Sequence, residues 1–149
     1  MAYLVRVSLT LPVAALTSAE SAEPLEITGA WVRATPPGAR TAAAYLTIAN
    51  QGPADRLLGA ASPAARELQL HTEAAAGQIR VMTPVAAIEL PAGGIVRLEP
   101  GGSHIMLVDL ATGLAPGTEI ELSLRFANAA TMTITVPVLD ARVPAHEHH

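Results

Sequence analysis

Glu119-Ile120-Glu121-Leu122-Ser123-Leu124-Arg125-Phe126 alternates polar and apolar residues without a break. A period of two puts Ile120, Leu122, Leu124 and Phe126 on one side of an extended chain and the four polar residues on the other, as in a half-buried β-strand. Nine more short, largely apolar runs are candidate strands, several with the same alternation, at 27–33, 42–49, 56–60, 67–73, 78–82, 86–90, 95–98, 104–110 and 131–138. Turn chemistry sits between them. Pro36-Pro37-Gly38, Asn50-Gln51-Gly52-Pro53, Gly93-Gly94 and Pro100-Gly101-Gly102 supply the fixed or positive φ that tight reversals need. No segment carries a long 3.6-residue period with caps, although 62–68 or 111–115 has room for one helical turn. Strands at intervals of about 8–12 residues predict an all-β chain folded as an antiparallel β-sandwich or barrel.

The 149 residues fit one domain with a sizeable core, and a chain that is 50% hydrophobic and 15% charged is a folded globule. The formal charge is -4 and every basic residue is an arginine, scattered singly from Arg6 to Arg142. No basic stripe exists to neutralise phosphates, which argues against a nucleic-acid partner. The aromatics are Trp31, Tyr3, Tyr45 and Phe126, too few for a platform that stacks bases or sugars; Trp31 is expected in the core. Cysteine is absent, which removes disulfides, zinc–thiolate sites, thiol nucleophiles, a lipid-bearing cysteine and the thiolate of a blue-copper centre.

Residues 1–19 differ from the rest. One arginine precedes the apolar stretch 7–16, and Thr17-Ser18-Ala19 offers small residues for cleavage, the layout of a secretory signal peptide and hence of an exported protein. The pattern also suits an apolar first strand. The stretch falls short of the roughly 20 residues that span a bilayer, so no membrane insertion of the mature protein is expected. The expected organisation is a leader at 1–19, a β-domain at 20–142 and a histidine-rich tail at 143–149.

Within the expected domain the histidines are His71 and His104, and the methionines are Met82, Met106 and Met132. Imidazole suits copper generally, and a polarisable thioether favours Cu(I) over Cu(II) or zinc. Strand phase separates ligand from core. Leu68 and Leu70 take one face of their strand, leaving His71 on the other with Glu67 and Gln69. Ile79 and Val81 are assigned the core face of theirs, leaving Met82 outward with Arg80. His104 and Met106 are two apart and share a face, but both faces of 104–110 are apolar, so alternation does not say which is buried. Met132 is in phase with Ile134 and Val136 and reads as core. His146, His148 and His149 are possible accessory Cu(II) ligands, or part of a plain polar tail.

The spacing His71, ten residues, Met82, twenty-one residues, His104, one residue, Met106 resembles the signature of the periplasmic copper chaperone family of PCuAC type. Ala30-Trp31-Val32-Arg33, Ala44-Tyr45-Leu46-Thr47-Ile48, Gly101-Gly102-Ser103-His104-Ile105-Met106-Leu107 and Pro137-Val138 resemble its other landmarks, in order, over residues 25–138. The resemblance implies a cupredoxin-like (Ig-like) β-sandwich and one Cu(I) on His71, Met82, His104 and Met106. It also implies delivery to apo-cytochrome c oxidase subunit II at its copper A site, alongside a Sco-type thiol protein. Many relatives carry a second methionine directly after the first histidine; here that position is Thr72.

Two other classes compete. A copper redox enzyme needs an acid/base pair, yet Glu73 and Asp109, the nearest carboxylates, have no second histidine or tyrosine beside them in sequence. A metal-free interaction module requires that the four candidate ligands do not converge.

Overall fold

The computed structural model describes residues 24–140, so the expected leader, the tail and its three histidines lie outside the described residues. Ten strands run through the described residues: β1 (Leu25–Arg33), β2 (Thr41–Asn50), β3 (Asp55–Ala61), β4 (Ala65–Ala76), β5 (Ile79–Val85), β6 (Ile88–Leu90), β7 (Ile95–Leu98), β8 (His104–Leu110), β9 (Glu119–Phe126) and β10 (Met132–Leu139). All ten expected strands are present. The helical turns allowed for at 62–68 and 111–115 are not: β4 already begins at Ala65, and there is no helix among the described residues.

The strands run in the order β5-β4-β8-β2-β1-β10-β9-β3-β6, with β7 also paired to β2. β5, β4, β8, β2, β7 and β1 form one layer, and β10, β9, β3 and β6 form the other. The layers are joined where β1 meets β10 in parallel, Val32 beside Val138. Their inward faces make one core, with Ala44, Ile48, Leu70, Ile105 and Leu107 from the first layer against Leu57, Leu122, Leu124, Phe126 and Val136 from the second. The fold is an all-β sandwich. Burying each large aliphatic side chain contributes about 1.5–3 kcal/mol, which is why strict alternation over 119–126 fixes which face turns inward. Met132 packs against this core, as its phase requires.

Two local features place side chains on the outer face of the first layer. A β-bulge in β1 between Thr28 and Trp31 shifts the pairing with β2 by one residue, so that Trp31 falls opposite Tyr45. Gly29 within the bulge has φ +62°, a conformation that glycine adopts without a Cβ penalty. Trp31 therefore lies half-buried on the outer face and not in the core. The second feature is the β4–β5 hairpin. Ile79 and Val81 are 66% and 44% exposed, so the core face assigned to them by alternation does not exist. β5 is the last strand of its layer and overhangs the sandwich. A period of two distinguishes the faces of a strand, but it cannot report whether a second layer lies beneath.

Candidate metal centre

The centre of the site is a cross-strand pair. In the antiparallel ladder of β4 and β8, His71 lies opposite His104 and Gln69 lies opposite Met106. Opposed residues of such a ladder point to the same face. The imidazole centroids are 5.4 Å apart. Ile105 and Leu107 turn to the core, which settles the phase of β8 and leaves His104 and Met106 on the outer face with His71.

Although on the outer face, His104 is only 2% exposed. Neighbouring rings cover it. Tyr45 lies 6.2 Å away, Trp31 stacks on Tyr45 at 4.9 Å, and the Arg33 guanidinium sits 5.9 and 5.8 Å from those two ring centres. The bulge at Gly29 is what brings Trp31 into this row.

Each imidazole has one nitrogen engaged and one free of any partner. His104 Nδ1 donates to the Gly102 carbonyl at 3.2 Å, and His71 Nε2 donates to Gln69 Oε1 at 2.9 Å. These bonds select the neutral tautomers whose lone pairs lie on His104 Nε2 and His71 Nδ1. Both of those atoms are buried without a hydrogen-bond partner. Burial holds the His71 pKa below its usual 6.5, and repulsion from His104 adds to the effect, so the lone pair is free at neutral pH.

Leaving a buried polar atom unpaired costs about 1–3 kcal/mol, so two such atoms on adjacent strands call for a reason. The other buried polar side chains show what full satisfaction looks like. Asn50 donates to the carbonyls of Pro53 and Leu90 and accepts from the Gly52 amide. Asp55 accepts from the amides of Arg56, Asn128 and Ala129. Imidazole nitrogens bind metal ions at about 2 Å, and two neutral rings with 5.4 Å between their centroids are near enough to be candidates for sharing one.

Met82 lies opposite Glu73 on β5. Glu73 is two residues from His71, so Met82 shares the outer face, one register step along from the imidazole pair, and is 50% exposed. Met106 lies one step along in the other direction, between Gln69 and Ala43. The structure thus closes the two imidazoles together, with one thioether on each side of them on the same surface. Among the described residues no group of three or more His, Cys, Asp and Glu side chains is gathered as hard ions and zinc require. The nearby carboxylates are occupied: Glu73 accepts from Arg80 at 3.1 Å, and Asp109 pairs with Arg40 and Arg66.

Residues 25–138 match the family described as "Putative lipoprotein LpqE-like". The chain belongs to the LpqE-like family. A relative within reach of this LpqE-like chain, "Putative lipoprotein Lxx21020" of Leifsonia xyli subsp. xyli (strain CTCB07), is 37% identical over 132 residues, covering 87% of this chain and 78% of that one. Among solved structures, the copper-bound PCuAC domain from PmoF2 superposes with a TM-score of 0.69 at 32% identity, over 78% of the LpqE-like chain and 93% of the other. The solution structure of Cu(I)-DR1885 from Deinococcus radiodurans gives a TM-score of 0.61 at 32% identity, over 85% and 86%. The expected sandwich is therefore also the fold of known PCuAC domains.

Sequence reading singled out the two histidines and two methionines as candidates but gave no role to the groups around them. Gln69 and Arg80 were in phase with His71 and Met82 and stood out no further. The Gly102 carbonyl carries no side-chain signal at all.

Proposed function

We propose that this chain is an exported copper carrier. It binds one Cu(I) through His71, Met82, His104 and Met106 and delivers it in the periplasm to a copper enzyme, with the copper A site of apo-cytochrome c oxidase subunit II as the acceptor and a Sco-type thiol protein acting alongside. The observation that carries the reading is a pair of buried, partnerless nitrogens, His71 Nδ1 and His104 Nε2, on imidazoles that lie opposite each other across β4 and β8. The lipoprotein names of the family and its relative support export. The copper-bound state of two structural neighbours supports the choice of metal.

The donor chemistry fits a carrier. Two neutral imidazoles and two thioethers leave the bound ion its positive charge and suit a soft, monovalent metal. Weak thioether ligands can leave one at a time as acceptor ligands arrive. With no thiolate in the set, the site cannot be lost to disulfide formation in an oxidising compartment, although sulfoxide formation at Met82 or Met106 would disable it. The pairing of Glu73 and Asp109 with arginines favours a carrier over a redox enzyme, because neither carboxylate is free to act as a base.

The test is titration of the apo-protein with Cu(I) against a coloured chelator, with X-ray absorption on the loaded form. One ion per chain with both nitrogen and sulfur scatterers is expected, and Met82→Leu with Met106→Leu should weaken binding. A stoichiometry near zero, or an affinity indifferent to the double substitution, sinks the reading. Copper transfer to the soluble copper A domain of apo-subunit II, followed by its absorption bands, tests the acceptor separately.

A further inference from the structure

The two thioethers are held very differently. Met106 lies on a central strand between two others, whereas Met82 is on an overhanging edge strand. Six of the seven β5 residues are exposed, and so are the last three of β4. Their ladder fixes β5 to β4, but no opposing layer fixes the hairpin to the body of the protein.

Arg80 makes that connection. It is two residues from Met82 and shares its outward face. Its Nε donates to Glu73 Oε2 at 3.1 Å, within the hairpin. A terminal guanidinium nitrogen donates to the carbonyl of Gly101, in the turn between β7 and β8. Gly101 adopts φ +87°, which a residue with a side chain would rarely tolerate. The next residue, Gly102, accepts the hydrogen bond from His104 Nδ1. One forked side chain thus links the strand that carries Met82 to the turn that orients His104.

We propose that Arg80 is a positioning residue for the metal site, holding the β4–β5 hairpin so that the Met82 thioether lies within reach of an ion on His71 and His104. This rests on the Cu(I) reading above. Arg80 is half-exposed, and exposed ion pairs add little to folding stability, so its contribution is to geometry more than to the fold. Lysine cannot reproduce it, because one ammonium group lacks the fork that serves a carboxylate and a carbonyl in fixed directions.

The experiment is a double-mutant cycle on the full chain, measuring Cu(I) affinity by chelator competition for wild type, Arg80→Ala, Met82→Leu and the double variant, with Arg80→Lys as the conservative replacement. Arg80→Ala is expected to weaken affinity about tenfold, the low end for removing a group that orients a ligand. With Met82→Leu already present it should cost nothing further, since the sulfur it positions is gone. Arg80→Lys should recover only part of the loss, and X-ray absorption of Arg80→Ala should show one sulfur scatterer where wild type shows two. In metal-free protein, Arg80→Ala should speed amide exchange in residues 77–82 and leave Ile105 and Leu107 unchanged. Equal losses with and without Met82, or no loss at all, overturn the assignment of Arg80 while leaving the carrier reading intact. Failure of the wild type to bind Cu(I) overturns both.

Discussion

Buried polar groups occur in two places in this sandwich, and the molecule treats them in opposite ways. At the end of the domain near Asn50 and Asp55, side-chain polar atoms meet backbone partners. Asp55 alone gathers three amides, one from its neighbour Arg56 and two from the distant pair Asn128 and Ala129. On the outer face of the first layer, His104 is as enclosed as Asn50 and Asp55 and His71 is partly buried, yet each keeps a buried nitrogen with no partner. The first arrangement stabilises the fold. The second costs stability and leaves a pair of lone pairs available. Where a protein leaves buried groups unsatisfied beside a region in which it satisfies them fully, the unsatisfied groups mark where a ligand belongs.

Substitution should therefore act in opposite directions at the two ends. His104→Leu removes a proposed metal ligand and should weaken Cu(I) binding by more than about 100-fold, beyond the range for residues that merely orient a ligand. The same change replaces an orphaned nitrogen with apolar surface, so the metal-free protein should become more stable, by about 1–3 kcal/mol in urea melts. A loss of apo stability would show that the hydrogen bond from His104 Nδ1 to the Gly102 carbonyl, lost in the same change, outweighs the orphaned nitrogen.

Asp55→Ala is the mirror image. It orphans the amides of Arg56, Asn128 and Ala129, so the apo-protein should lose about 3 kcal/mol or more, at roughly 1 kcal/mol or more per abandoned donor. Copper affinity, measured below the melting transition, should not change. Weakened binding in that variant would mean that the two ends are coupled through the core.

Gln69→Leu probes the copper side more gently. Gln69 Oε1 accepts from His71 Nε2 and so keeps the lone pair on Nδ1. Without it, the ring is free to turn or to change tautomer, and affinity should fall about tenfold. Because Gln69 is on the outer face and not in the core, the melting temperature should barely move.

How much of this was visible in the sequence differs between the ends for a physical reason. The alternation at 119–126 and the glycine- and proline-rich turns made ten strands legible, because burial on one face imposes a period of two wherever a second layer exists. The candidate ligands were legible because residues 24–140 hold only two histidines and three methionines, which differ chemically from their neighbours. What stayed hidden was set by tertiary contact. Ile79 and Val81 alternate as core residues do, but the opposing layer stops short of them. Trp31 reaches the outer face only because the bulge at Gly29 slips the register. The clamp on Asp55 joins residues more than 70 positions apart through backbone amides, which no side-chain pattern records. Arg80 bonds a carbonyl in a distant turn, which is equally silent in sequence.

Acid separates the two ends by the pH at which each gives way. His71 has a folded pKa below its usual 6.5, from burial first and the neighbouring His104 second. As pH falls through 6.5 the unfolded chain takes up a proton that the folded chain still refuses, so stability is lost from there down to the folded pKa and is constant below it. For Asp55, burial raises the pKa, but the amides of Arg56, Asn128 and Ala129 together outweigh it and hold the carboxyl below 3.8. Its contribution is intact above 3.8 and is lost only as pH drops further, toward the folded value. Urea midpoints of the metal-free protein measured from pH 8 to pH 3 should thus fall in two separate stages. His71→Leu should remove the first and leave the second, while Asp55→Asn should remove the second alone. Copper should sharpen the contrast, because at the proposed site a proton and the ion would compete for the same lone pair on His71 Nδ1. Loaded protein should show a deeper first stage, as acid displaces the metal, and an unchanged second one. A first stage that survives His71→Leu would assign the neutral-range titration to some other group and remove His71 from the comparison.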